Sequence, residues 1–477
     1  MKNLNRVFSR VETACIGLAA IGEVFDTGIM TPTTRPPRTS ASASSSPHTV
    51  LIASVATAAL AGLLFGFDTA VIAGVTGALK AKFALSEAWL GFTVSSALWG
   101  TLIGAMFVGT LGDRYGSRNV LRMLAFLYIV TALGCALAWD WYSFIGFRFV
   151  IGIAIGGSSV LAPAYIAELA PPAQRGKMVG GFQFAVILGI LLAYVSNAVI
   201  GALDLGDTEW RWKLGIVALP SLVFFALLFR IPNSPRWLLT KGRDAEAKDV
   251  LATIGMSPDV AKAELDVPKG DGHLSWTRHR KPITLAFLVA MFNQFSGINA
   301  FLYYLNDIFK ASGGSLSPDL QAVMIGVANM VFTLLGMLLI DRIGRRTLLL
   351  WGSAGMTAAL TVGGLALLGV LPSWLLLPSL IVFIMFFAPG SGAVIWVYIS
   401  EVFPQNVRAR GSSIGSSSHW GWNAVIAQAF PIAAAWSAGV PFLVFAAMMA
   451  VQFVTVLLYF PETKGIALED MDAHMTR

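Results

Sequence analysis

The chain has 477 residues, is 56% hydrophobic, only 12% charged, and carries a formal net charge of +7. A soluble globular protein holds about 25% charged residues, so the composition excludes an ordinary soluble enzyme or binding module and points to an integral membrane protein. Length is then counted in spans of roughly 20 apolar residues rather than in soluble domains.

In chain order, residues 1–48 are polar and end "TSASASSSPH". Their apolar stretch Ile16–Phe25 is short and weak, so a disordered cytoplasmic extension, or a start codon assigned too early, is expected there rather than a signal peptide. Twelve apolar segments follow, at about 51–79, 88–111, 119–138, 142–166, 178–202, 213–231, 283–309, 320–340, 347–371, 374–400, 412–437 and 440–460. They are too long and uninterrupted for barrel strands and predict membrane helices. The expected architecture is all-α: a six-helix bundle over 49–232, a cytoplasmic linker over 233–281, a second six-helix bundle over 282–462, and a tail over 463–477. In the linker, "DAEAKDVLATIG" and "DVAKAELD" read as short surface helices that either latch the two halves or form a solvated connection.

An even number of spans puts both ends of the chain on one side, and lysine and arginine decide which side. Twenty-seven of them collect on one face, five on the other, and Arg148 lies inside the fourth span. Both termini are therefore expected in the cytoplasm, in a cytoplasmic (inner) membrane. The positive charge follows from this topology and is no sign of nucleic-acid binding. The two cysteines, Cys15 and Cys135, make no disulfide framework and no metal-ligand spacing.

The chain repeats itself. "GDRYGSR" follows the second span and "IDRIGRR" the eighth, with Asp113 and Asp341 228 apart. "YIAELAPPAQRG" follows the fourth and "YISEVFPQNVRARG" the tenth, so that Glu168 and Arg175 recur as Glu401 and Arg408 at an offset of 233. "SPRWLLTKG" and "PETKG" follow the sixth and twelfth. A parallel six-plus-six repeat is what two bundles rocking about a central site require. Membrane anchoring needs only basic residues, yet these clusters mix signs in fixed register. Asp113, Arg114, Arg118, Glu168 and Arg175, with Asp341, Arg342, Arg345, Arg346, Glu401 and Arg408, are therefore expected to make gating salt bridges between helix ends.

With the Asp-Arg-x-Gly-x-Arg loops, "SPRWLLTKG", "NQFSGINAFLYY" (Asn293–Tyr304), "WVYISEVFP" (Trp396–Pro404) and "PETKG", the chain resembles the sugar porter family of the major facilitator superfamily from about residue 50 to 465. The resemblance implies alternating access, a monosaccharide substrate and a monomer.

Two charges lie at bilayer depth. Arg148 is roughly 10 Å inside the fourth span and Asp68 roughly 15 Å inside the first, at 1.5 Å per residue. A charge there costs at least about 2.5–3.5 kcal/mol and seeks a partner. The pair either fixes helix register or forms a proton site, in which protonation of Asp68 frees Arg148 and shifts the conformational equilibrium. A merely fixed pair is an expensive way to set register, which favours the second. The resemblance adds that sugar porters with this aspartate look like proton symporters and that facilitative members tend to lack it. No cofactor is expected beyond the coupling proton.

A sugar needs groups that both donate and accept, which carboxamides do, and an apolar wall. Gln183, Asn293, Gln294, Asn299, Asn329 and Asn423 supply the first and Trp396 the second, while Trp420 either lines the pocket or packs behind it. All but Asn293 and Trp420 match sugar-binding positions of the family. Gln294 and Asn299 are five apart, so Gly297 is expected to break the helix between them. Tyr303 and Tyr304 are placed to gate the outer mouth. The chain departs from the family at Asn293, Ile190, Ile395, His419 and Asn233, which leaves the identity of the sugar open.

Overall fold

Apolar runs of this length satisfy their backbone in a bilayer only as helices or closed barrels, and here they are helices. The computed structural model describes residues 47–256, 274–313, 316–404 and 407–464, without the side chains of Pro47, Asp341 and Ala409. Most of the N-terminal extension, the expected linker helix at Asp259–Asp266 and the tail from 465 lie outside the described residues. Among the described residues there is no strand.

The first six spans are Pro47–Val71, Glu87–Tyr115, Ser117–Ala136, Trp141–Leu169, Arg175–Gly201 and the stepped Glu209–Gly215 with Ala218–Leu227. The linker carries Pro235–Thr240 and Asp244–Ile254. The last six are the broken Trp276–Phe295 and Ile298–Ser312, then Pro318–Ile343, Arg345–Leu367, the bent Leu376–Phe387 with Ala393–Glu401, Arg408–Trp436 and Val440–Tyr459. Eleven of the described segments are long and apolar enough to cross a membrane. Arg408–Trp436 has the length, 29 residues, but opens on two arginines and a run of Ser and Gly that lowers its hydropathy.

One expectation changes. Span 1 does not run unbroken to residue 79: it tightens into a turn at Ile72–Gly74, and Thr76–Lys82 is a separate short helix. Span 10 bends at Pro389 and Gly390, within a wide helical turn over Ala388–Gly392.

Small residues let the helices of the first half touch backbone to backbone. A Cβ on Gly152 or Gly156 of span 4 would stand 1.9 or 2.0 Å from a carbonyl oxygen of span 2, and one on Gly66 of span 1 would stand 1.8 Å from a carbonyl of span 5. The repeat has a physical basis at the loops. Gly116 and Gly344, 228 apart like the aspartates, both turn at positive φ, +87° and +104°. The Trp237 ring seats against the first and the Glu462 carboxylate against the second, so "SPRW" and "PETKG" fill equivalent places.

The halves meet where span 2 packs on span 11 and span 5 on span 8. On the face away from the arginine clusters they are bonded: the Tyr194 hydroxyl donates to Leu302 O (2.9 Å), and Ser95 and Trp99 donate to Gln428 Oε1 (3.4 and 3.5 Å). Toward the basic face, Gly176 and Gly181 of span 5 look onto open space.

Gly152→Ala is expected to force spans 2 and 4 apart and cost about 1–3 kcal/mol of stability. Gly146→Ala, on the same helix with no atom in front of it, should be neutral. Thermal unfolding of the two variants in detergent checks this.

Candidate functional site

Asp68 and Arg148 meet as their depths require. Arg148 Nη1 donates to both carboxylate oxygens, at 2.9 and 3.0 Å, and both side chains are 4% exposed. One nitrogen serves both oxygens, unlike the two-nitrogen fork of arginine's strongest carboxylate pairs, and Arg148 Nε is buried without a hydrogen bond. The pair is held yet not saturated. Beside it is a cavity of about 10 Å³, also lined by Phe65, Thr101, Tyr303 and Trp420, with room for about one water. Asp68 and Arg148 come from the first half, Tyr303 and Trp420 from the second, so the cavity spans the seam between the halves.

The carboxamides gather around the break in span 7. Gly297 turns at φ +84°, and the turn brings Asn299 Nδ2 to Gln294 Oε1 at 2.9 Å. Gln294 Nε2 donates to Asn293 Oδ1 (3.1 Å) and lies 3.0 and 3.1 Å from the two ring nitrogens of His419. His419 packs between Trp396 and Trp420, with ring centroids at 4.8 and 5.2 Å. Trp396 is 41% exposed in mid-span, and Trp420 stands between His419 and the small cavity. Asn423 Nδ2 donates to the Tyr303 hydroxyl at 3.1 Å. The structure thus joins Gln294, Asn299, Trp396, Trp420, Asn423, Tyr303 and His419 in one aromatic-and-amide wall.

Other expected residues sit differently. Asn293 spends its amide on Ser391 O (3.1 Å), bracing the bend of span 10. Asn329 is buried and accepts from Thr333 at 3.5 Å, and Gln183 is half-buried on span 5. Tyr303 and Tyr304 are buried, and Tyr304 donates to Ala427 O at 2.9 Å, so both tie span 7 to span 11. Tyr194 and Gln428, which bond the halves together, were not among the expected residues; their signal was a polar group inside an otherwise apolar span.

At the basic face the described contacts clasp helix ends within a half. Arg345 pairs with Glu401 at 2.9 Å, and Thr463 Oγ1 donates to Glu401 at 2.6 Å. Lys464 Nζ donates to Arg342 O, and Arg346 Nη2 to Leu457 O. In the first half Arg118 and Arg122 donate to Ile231 O and Leu228 O, and Trp237 to Asp113 O. Arg114 lies over the Tyr115 ring. Arg175 and Arg408 donate to the carbonyls of Ala167 and Phe403. Glu168 is half-buried with an interaction of its own, and the Asp341 side chain lies outside the described residues. Burial alone would raise the Glu462 carboxyl, but backbone N–H groups of Lys464, Arg345, Arg346 and Thr463 outweigh it and hold the group below its ordinary 4.5.

Residues 54–475 match the model of the family "Sugar (and other) transporter", and the chain belongs to that family. It is 36% identical over 458 residues to the arabinose-proton symporter of Bacillus subtilis (strain 168), covering 93% of this chain and 98% of that one. It is 33% identical over 460 residues to the D-xylose-proton symporter of Escherichia coli (strain K12), covering 87% and 94%. The inward-open conformation of the E. coli xylose transporter XylE superposes with a TM-score of 0.80 at 31% identity, covering 89% of this chain and 99% of that one.

A depressed carboxyl contributes stability that is present above its unfolded pKa and lost as pH falls through its folded one. Glu462→Gln should therefore lower the unfolding temperature at neutral pH, and the gap to the parent should close well below pH 4.5. Parallel melts across pH check this.

Proposed function

We propose that this protein is a proton-coupled monosaccharide symporter of the cytoplasmic membrane, monomeric and working by alternating access, with its basic face and both termini in the cytoplasm. One observation carries the reading: a buried, unsaturated Asp68–Arg148 pair shares a one-water cavity with Tyr303 and Trp420, which belong to the amide-and-aromatic wall.

In this reading the wall binds the sugar. Gln294, Asn299 and Asn423 exchange hydrogen bonds with its hydroxyls, joined by Gln183 and Asn329 when the halves close, and Trp396 covers its apolar face. Asp68 takes the proton. With Asp68 ionised, Arg148 holds it, and the halves are bonded on the outer side through Tyr194 and Gln428. This arrangement suits a carrier that has released sugar and proton inward. When the empty carrier samples its outward-open form, protonation there removes the charge that Arg148 grips. The freed guanidinium and the neighbouring Tyr303 and Trp420 rearrange across the seam, and the equilibrium moves outward. The arginine clusters then close the inner side as gates. One proton entering down 100 mV supplies about 2.3 kcal/mol, enough for roughly 50-fold accumulation.

Purified protein in liposomes should accumulate a pentose or hexose when a proton gradient is imposed. Asp68→Asn should abolish accumulation and keep energy-independent counterflow. Failure of the parent to accumulate any sugar despite counterflow makes it a facilitative carrier and Asp68 a structural partner of Arg148. Gln294→Ala should raise the half-saturating sugar concentration of counterflow about tenfold, the loss of one or two hydrogen bonds.

A further inference from the structure

A second and larger cavity lies away from the proton pair. It opens on the face opposite the arginine clusters, has a volume of about 350 Å³, and straddles the halves. Lys80, Glu87 and Leu90 line it from the first half, and the outer half-helix of span 7 and the end of span 11 from the second. Its volume is at the lower end of small-molecule sites, roughly 300–1,000 Å³.

Its chemistry is specific. One side is apolar: Leu90, Ile308, Pro431 and Ala434 line it beside the stacked, buried rings of Tyr304 and Phe430. The other is polar. Lys80 and Glu87 form an ion pair whose side chains are 42% and 35% exposed, and Asp307 lines the same cavity. A Cβ on Gly77 would stand 3.7 Å from Lys310 Nζ and 4.0 Å from Asp307 Oδ1, so Lys310 adjoins the same group. Two carboxylates and two ammonium groups balance, so the cluster selects neither a cation nor an anion. Carboxylates accept from hydroxyls, ammonium groups donate to them, and the apolar side takes a ring's carbon face. The ligand this set fits is a neutral, hydroxyl-rich ring.

The position gives the site a purpose. Tyr304 lines this cavity, and its neighbour Tyr303 lines the small cavity of the proton pair. Two adjacent tyrosines thus separate an outer chamber from the central wall. We infer that the outer cavity is a second monosaccharide site, loaded from outside while the carrier is open inward, so that sugar waits one tyrosine layer above the central site. The inference rests on the sugar-carrier reading and on the basic face being cytoplasmic.

The test is sugar protection of a cysteine in the chamber. Ala434 and Ala438 line the cavity. Cys135 is 2% exposed, so only Cys15 needs replacement, by serine. Ala434→Cys, and separately Ala438→Cys, would be reconstituted and labelled from outside with a membrane-impermeant maleimide, with D-xylose, L-arabinose or D-glucose as probe. Each would be made with Gln294 intact and with Gln294→Ala. A sugar that occupies the chamber should slow labelling about twofold at its half-saturating concentration and about tenfold at ten times that. This should persist in Gln294→Ala and be lost on adding Asp307→Ala. Unslowed labelling in a variant that still performs sugar counterflow overturns the second site and leaves the carrier reading standing. Protection that vanishes with Gln294→Ala also overturns it, because the effect then arises at the central site. Absence of counterflow for every sugar in the Gln294-intact variants and their parent overturns the carrier reading and this site with it.

Discussion

The structure turns on a single ion pair in a place where ions are expensive. Asp68 and Arg148 are each 4% exposed, in segments that otherwise hold almost no charge. Burying both ions is tolerable only while they hold each other, and removing one partner is far worse than never having the pair. Protonation is the reversible version of that removal. Single-nitrogen contact geometry and a cavity the size of one water leave the pair accessible to it. The backbone-close packing of spans 2 and 4 keeps Arg148 at the right depth, because glycine carbonyl contacts there leave no room to slide.

The pair would be inert if it stood apart from the substrate wall. Tyr303 and Trp420 prevent that, since they touch the coupling cavity from the half that carries the amides. Gly297 is the local cause: its positive φ lets Gln294 and Asn299 meet at 2.9 Å although no single helical face would present both. The stop in span 7 also starts the half-helix that carries both tyrosines, so a single glycine arranges the wall and the outer barrier together.

Much of this was legible in the residues. Helix number, the buried charges, the break at Gly297 and the repeat all rest on local signals: hydropathy, a lone acid in an apolar run, a glycine between amides, identical loop motifs. What was not legible depends on which chain segments meet. Asn293 looked like a sugar contact and instead braces the bend at Ser391, 98 residues away. Glu401 and Arg408 are in suggestive register, yet Glu401 pairs with Arg345 from the start of span 9. Tyr194 and Gln428 carry no signal in the chain beyond a polar group in a span, because their partners lie in the other half. His419 was visible as a departure, but its seat between two tryptophans was not.

The most direct test reads the conformational equilibrium rather than transport. Spin labels at Leu203 and Val370, exposed at the outer ends of the two halves, would report the distance between the halves by pulsed electron resonance, without sugar, across pH. Acidification should lengthen the outer distance in the parent, and Asp68→Asn should hold the long distance at every pH. An Asp68→Asn protein whose distance still shifts with pH as the parent's does would contradict this, because another group would then be the proton switch.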